Sequence, residues 1–249
     1  MQEKFSKFKG YFKIECYDRN NNLVDSFEDN NFIMKPARRT VAEMFSGKRN
    51  TGLNYLVLGT SGGTTTPYIP IIEENGFNKD RQHLYSESIQ ASLGQSLYLY
   101  KYETVKIGVK TYRYIGESDN VTLSTETLAN SFEDCDDNYT YYFRISPSDR
   151  SKTPDGVTNY ALSENNSCTI GIDANESNLD ATTVTFTFEL GMSEGNNQHK
   201  ASDVGFGTMC SLFNEAGMYF NGRLFCSKCF TPKVKDDSTR IKIVWKIIF

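Results

Sequence analysis

The chain has 249 residues, 38% of them hydrophobic, enough to bury one large core or two smaller ones without a disulfide or metal staple. Its 27 Lys and Arg against 31 Asp and Glu give a formal net charge of −4, which excludes a generally basic nucleic-acid binder and leaves only local patches open. Six cysteines (Cys16, Cys135, Cys168, Cys210, Cys226 and Cys229) without dense spacing exclude a disulfide scaffold, and no apolar run reaches membrane-spanning length.

The start, Met1-Gln2-Glu3-Lys4, leads into no apolar secretory core. The expectation is synthesis in a reducing cytosol, with no glycan on the sequons at Asn120, Asn138, Asn165 and Asn175. Lys4, Lys7, Lys9 and Lys13 interleave with Phe5, Phe8 and Phe12, and from Gly10 onward Phe12, Ile14 and Cys16 alternate as a strand. Residues 1–9 therefore read as a basic arm entering the first strand. Two uses stay open: a solvated face with its rings tucked into the domain, or a contact arm on a neighbouring subunit or nucleic acid.

The Asn-rich cluster 18–22 is a turn and 23–27 a short return strand. The spacing then predicts one amphipathic helix over 36–46, with Pro36 at its first position, Ala37, Val41, Met44 and Phe45 on one face, and Gly47 as its stop. Residues 53–58 form an apolar run, a buried strand that ends in a Gly/Thr loop. That loop contains Gly-x-Ser-x-Gly at Gly59, Ser61 and Gly63. A nucleophile elbow needs a helix immediately after the turn, and the threonines with Pro67 and Pro70 forbid one there. His83 and His199 are the only histidines to serve it.

Alternating runs follow at 97–100, 109–115 and 139–145, rich in Tyr. Between them Glu133, Asp134, Asp136 and Asp137 flank Cys135; the run lacks the central Gly and distal Glu of a calcium loop and reads as a solvated loop. Residues 146–181 are the most polar stretch, with one short strand around Cys168, Ile170 and Ile172. Val184, Phe186, Phe188, Leu190 and Met192 alternate cleanly against threonines. Asn221-Gly222 then supplies a two-residue hairpin turn, and after a breaker segment at 231–237 the tail puts Ile241, Ile243, Trp245, Ile247 and Phe249 on one face. Such a strand must be buried against another layer, so losing its last residues should unfold the domain. Cys226 and Cys229 lack the second pair a zinc ribbon needs, and three apart on a strand they point to opposite faces.

Three segments recur in an order that carries more information than any one motif. They are Asn30-Asn31-Phe32-Ile33-Met34 with Arg38, Val41, Ala42 and Phe45-Ser46-Gly47; Tyr55-Leu56-Val57-Leu58-Gly59-Thr60 followed by Thr64-Thr65-Thr66-Pro67; and Asn214-Glu215-Ala216-Gly217-Met218 through Leu224-Phe225-Cys226-Ser227 to Ile243-Val244-Trp245-Lys246-Ile247. Together they resemble virion proteins of tailed bacteriophages, in particular those of the neck and tail. Residues 71–181 match no such pattern and read as a virus-specific elaboration of the kind seen in short-tailed, crAss-like phages.

The resemblance implies one domain over 1–249, mainly β: an antiparallel β-sandwich with one short amphipathic helix, long polar loops, the basic arm and the elaborated middle. It implies a homo-oligomeric ring or collar in the virion neck or tail, closed by head-to-tail contacts and joining portal, tail and fibre subunits. The protein would be made in the bacterial host cytoplasm, touch viral DNA only in passing and engage no membrane. It implies no enzyme, no catalytic residue, no metal and no cofactor. The core and assembly candidates are Trp245, Ile243, Ile247, Phe249, Asn221, Gly222, Phe186 and Phe188, and the arm candidates are Lys4, Phe5, Lys7, Phe8 and Lys9. Trp245→Ala would cost roughly 3–5 kcal/mol. Two other classes remain: a fibre or decoration protein that binds host-surface glycan or anchors the fibre, and an enzyme sensitive to Ser61→Ala or to changes at 133–137, against which stands the lack of a convergent acid–base pair.

Overall fold

The alternation at the C-terminus places β17 (Arg240–Ile248) inside a sheet, between β1 (Lys9–Tyr17) and β14 (Thr182–Leu190). The registers align the apolar residues in rows: Phe12, Trp245 and Phe186; Ile14, Ile243 and Phe188; Cys16, Ile241 and Leu190. β2 (Leu23–Asn30) and β13 (Ser167–Ile172) pair at the edges, giving a five-stranded antiparallel sheet in the order β13-β14-β17-β1-β2. The computed structural model describes residues 9–46, 53–60, 80–135, 142–145, 160–161, 167–172, 182–196, 210–220 and 222–248.

A second sheet is built on the hairpin of β15 (Ser211–Phe220) and β16 (Arg223–Lys235), in which Phe220 opposes Arg223 and Gly222 has φ +70°, as the tight turn demands. β4 (Leu53–Gly59) runs antiparallel along β15, and β11 (Tyr142–Ile145), β12 (Tyr160–Ala161) and β3 (Phe32–Ile33) complete a six-stranded sheet in the order β12-β11-β4-β15-β16-β3. The two sheets pack into a sandwich. Leu56, Leu58, Ala216, Met218, Phe220 and Phe230 of the second meet Phe12, Ile14, Phe186, Phe188, Ile243, Trp245 and Ile247 of the first. Trp245 stands edge-on to Phe12 at 4.8 Å, and Phe12 stacks on Phe230 at 5.3 Å. Burying each such side chain contributes about 1.5–3 kcal/mol, so the mainly β architecture rests on this seam.

Residues 89–135 fold around a core of their own. β5 (Ile89–Ala91), β7 (Thr104–Ile107), β8 (Lys110–Tyr114) and β10 (Phe132–Cys135) form a four-stranded sheet, and β6 (Ser96–Leu99) pairs with β9 (Asp119–Thr122). Leu99, Val105, Tyr114, Val121, Leu123 and Phe132 fill the space between them.

Several expected elements need correction. Beside α1 (Lys35–Phe45) there is a second helix, α2 (Thr125–Ser131), whose start is capped by Ser124 Oγ accepting from Thr127 N–H at 3.0 Å. It has no fully buried residue, and only Leu128 leans on the core, so its apolar periodicity is too faint to read. Strand β16 runs straight through the supposed breaker at Thr231-Pro232. Proline fits because the pairing with β15 shifts register between Phe213 and Glu215, a bulge where no ladder donor is required. Glu133, Asp134 and Cys135 are strand β10, not a loop, held by pairing with β8 and by Lys110 to Asp134 at 3.2 Å. The polar stretch 146–181 contributes two strands, β12 and β13, rather than one. Lys9 belongs to β1, opposite Ile248, so the arm stops one residue earlier than expected.

Helix α1 also departs from its expected role. Ala37 and Thr40 are buried and Val41 partly so, but Met44 and Phe45 at the end of the apolar stripe are exposed. The helix plugs the sandwich with its first two turns and overhangs it with the last.

Candidate functional site

Every residue of β15 is buried, which a strand in an ordinary two-layer sandwich cannot achieve. The cause is residues 80–88, an irregular strap laid over the outer face of the second sheet. Leu84 packs there with Met34, Val57, Tyr219 and Leu224. Two glycines admit the strap so closely: a Cβ on Gly217 would lie 2.8 Å from Leu84 Cδ2, and one on Gly59 would lie 2.0 Å from Ser86 Oγ.

A buried segment without regular structure must find partners for its backbone. Here the partners are carboxylates. Glu215 Oε2 accepts from Tyr85 N–H at 3.1 Å, while Glu215 Oε1 accepts from Ser86 N–H at 2.6 Å and from Ser86 Oγ at 2.5 Å. Leu84 N–H donates to Glu87 Oε2 and to the Tyr219 hydroxyl, both at 3.1 Å, and that hydroxyl itself donates to Glu87. The buried Arg81 guanidinium donates to His83 O and Ser227 Oγ, each at 3.0 Å, and lies 4.0 Å over the Tyr85 ring.

The strap also joins the sandwich to the 89–135 unit. Thr104 Oγ1 donates to Tyr85 O at 3.0 Å, and Tyr102, with φ +73°, meets the Tyr85 ring edge-on. Buried Glu103 accepts from Tyr100 N–H at 3.0 Å; its burial pushes the carboxyl up to about 7, against the opposing pull of that hydrogen bond and of Arg81.

A second group of charges closes the sandwich edge. Asp25, Phe27 and Asp29 of β2 share one face; Phe27 joins the core, while Asp25 and Asp29 reach Lys233 and Lys228 of β16 at 2.8 and 2.6 Å. Charges pointing inward from an edge strand discourage the pairing of another strand along it. Next to them Lys235 is fully buried, its ammonium donating to Met192 O, Asn196 Oδ1 and Asp236 O at 3.1, 2.5 and 2.9 Å. Burial draws its pKa down to about 8.

The expected residues fall as follows. Trp245, Ile243, Ile247, Phe186 and Phe188 all line the core, and Gly222 forms the turn. Phe249, Asn221, Lys4, Phe5, Lys7 and Phe8 lie outside the described residues, as do Ser61, Gly63 and His199. His83 is exposed and gives only its carbonyl to Arg81. Cys226 faces the core and Cys229 the opposite side, against Tyr85, as three-residue spacing on a strand requires. Burial raises the Cys226 thiol well above its ordinary pKa.

Among the described residues no group of His, Cys, Asp or Glu is placed to hold a metal, and no helix is long and apolar enough to cross a membrane. Sequence reasoning missed the strap network and the edge lysines. Their one visible signal was polar residues inside apolar strands: Glu215 in β15, and Lys228, Lys233 and Lys235 in β16.

What remains exposed and apolar is confined to a few places: Met44 and Phe45 on α1, Leu23 and Val24 at the start of β2, and Leu93, Tyr98, Val109 and Ile115 on the 89–135 unit. The chain matches no protein-family model, no curated protein and no solved structure.

Proposed function

We propose that this protein is a non-enzymatic structural subunit of a tailed-bacteriophage virion, a ring, collar or tail component that joins portal, tail and fibres through contacts between subunits. The observation that carries the reading is where the resembling segments lie. They are α1, β4 and the run from β15 to β17, and these form one continuous unit, the sandwich and its plug. The stretch without a resemblance supplies the separate small unit at 89–135. A shared framework carrying a private elaboration is what a common assembly role with different neighbours would produce. On this reading the protein is made in the host cytoplasm and ends in the virion, with other copies of itself and neighbouring virion proteins as partners.

Light scattering of the purified chain, alone and after adding a particle extract, tests this. A discrete high-order oligomer, or conversion to one on mixing, is the expected result. A monomer unchanged by the extract overturns it. A second reading, a fibre or decoration protein that binds glycan, is favoured by exposed Tyr98 standing edge-on to Tyr100 at 5.2 Å, since paired rings suit a sugar face. Its mark would be a trimer with saturable sugar binding.

A further inference from the structure

Two exposed apolar spots on this chain have charged surroundings of opposite sign. On α1, Arg38, Ala42 and Phe45 follow one another at i, i+4 and i+7 and are all exposed, Phe45 to 89%, with Met44 beside them. Around this stripe Glu43 accepts from Arg39 at 3.1 Å and from Arg223 at 2.6 Å. With Arg38 added, arginines outnumber the one carboxylate.

The second spot is the far end of the 89–135 unit. The parallel pairing of β5 with β7 sets Ala91 beside Ile107, so the turn that follows each strand emerges at the same end. One turn carries Leu93, 53% exposed, and the other Val109, 86% exposed, next to Gly108 at φ +62°. Gly94 N–H donates to Leu123 O at 2.7 Å, which brings the start of α2 and exposed Glu126 to this end; Asp134 pairs with Lys110 there at 3.2 Å. Carboxylates outnumber the ammonium.

We propose that these spots are the two halves of one contact: the Phe45 end of α1 on one copy receives the Leu93 and Val109 turns of the next. This rests on the subunit reading above and names the contact it requires. Both spots are exposed in the single chain, so neither covers the other. Pairing like with like would set arginines against arginines, or carboxylates against carboxylates. Pairing one spot with the other buries aliphatic side chains on the Phe45 ring inside a rim of matched charge, which fixes register. Contacts between different patches repeat head to tail and close into a ring when the rotation permits.

The test uses the full chain carrying Phe45→Asp or Val109→Asp, with circular dichroism to check folding and light scattering across a concentration series. Wild type should assemble and each variant alone should be monomeric. Their equimolar mixture should give a dimer and nothing larger, because it retains one intact junction per pair. Should Val109→Asp disturb its turn, Leu93→Asp probes the same face. Raised salt should weaken wild-type assembly, as expected of a charged rim. Variants that assemble like wild type, or a mixture that stays monomeric, overturn this contact while the subunit reading stands. A wild type that is monomeric alone at every concentration also overturns the contact, and the subunit reading then depends on the particle extract.

Discussion

Replacing Glu215 with Ala tests whether the strap is held by its carboxylate partners or merely rests on them. The carboxylate serves three donors of the strap: Tyr85 N–H at 3.1 Å, Ser86 N–H at 2.6 Å and Ser86 Oγ at 2.5 Å. All belong to fully buried residues. The hydroxyl can turn toward another acceptor, but the two backbone donors are fixed. Leaving a buried donor unpaired costs about 1–3 kcal/mol, so the substitution should cost roughly 2–6 kcal/mol. Against a total stability of about 5–15 kcal/mol for a domain, that is a large loss. Urea unfolding followed by the fluorescence of Trp245, the chain's one Trp and fully buried, reads the global cost. Amide exchange at Tyr85 and Ser86 reads the local one, and those amides should lose protection before the sandwich strands do. Glu215→Gln should fall between, because the amide keeps one acceptor oxygen and turns a donor toward the other N–H. If Glu215→Ala stays within about 1 kcal/mol of wild type with both amides still protected, the strap is held by packing alone and the reasoning fails.

Gly217→Ala should destabilise by about 1–3 kcal/mol in the same urea assay, since its Cβ would stand 2.7 Å from Leu224 Cδ1 and 2.8 Å from Leu84 Cδ2 and the strap must lift to admit it. Glu103 gives a pH signature. Its carboxyl titrates at about 7 in the fold against an ordinary value of 4.5, so the folded state binds more protons between those values and stability should fall across that window, by about 3 kcal/mol in all. In Glu103→Gln the fall should vanish; an unchanged pH profile would show that Glu103 is not its source. Lys235 works in the opposite sense: with its ammonium drawn down from 10.5 to about 8, the unfolded chain binds more protons and stability should rise from pH 8 to pH 10.5. Lys235→Met should flatten the curve there, and a rise that persists would assign it to another group.

The strands of the core were legible because each has one wet face. In β17 and β14 the period of two survives intact, and the rows through Trp245 and Ile243 follow from it directly. In β15 and β16 the same logic fails, since both faces are buried and Glu215 or Lys235 then looks like an outward polar residue. Nothing local says that a segment some 130 positions away in sequence will cover Glu215, because that information lies in the tertiary pairing. Likewise Pro232 is a breaker by its own chemistry and is tolerated only because a bulge opposite it removes the need for a donor. The overhang of α1 could not be read from its spacing either. Periodicity tells which residues of a helix share a face, but not how far the surface beneath it extends.

The disposition of charge explains why apolar exposure is confined to so few places. The outer face of the first sheet is laced with polar pairs: Lys13 with Glu15 at 2.7 Å, Arg240 with Glu189, and the Tyr11 hydroxyl with Glu28 at 2.8 Å. Such a face stays hydrated and loses much by desolvation, so it is a poor place to join another subunit. The outer face of the second sheet lies under the strap, and the edge at β2 turns its carboxylates inward onto Lys228 and Lys233. With both faces and this edge committed, the α1 overhang and the distal turns carry the most exposed large apolar side chains, Phe45 and Val109. The strap fixes one of these relative to the other, since Thr104 to Tyr85 and Ser86 to Glu215 form a chain of bonds from the small unit into β15. Loosening it should therefore cost assembly as well as stability: Glu215→Ala should lower the oligomeric mass under conditions where the sandwich is still folded.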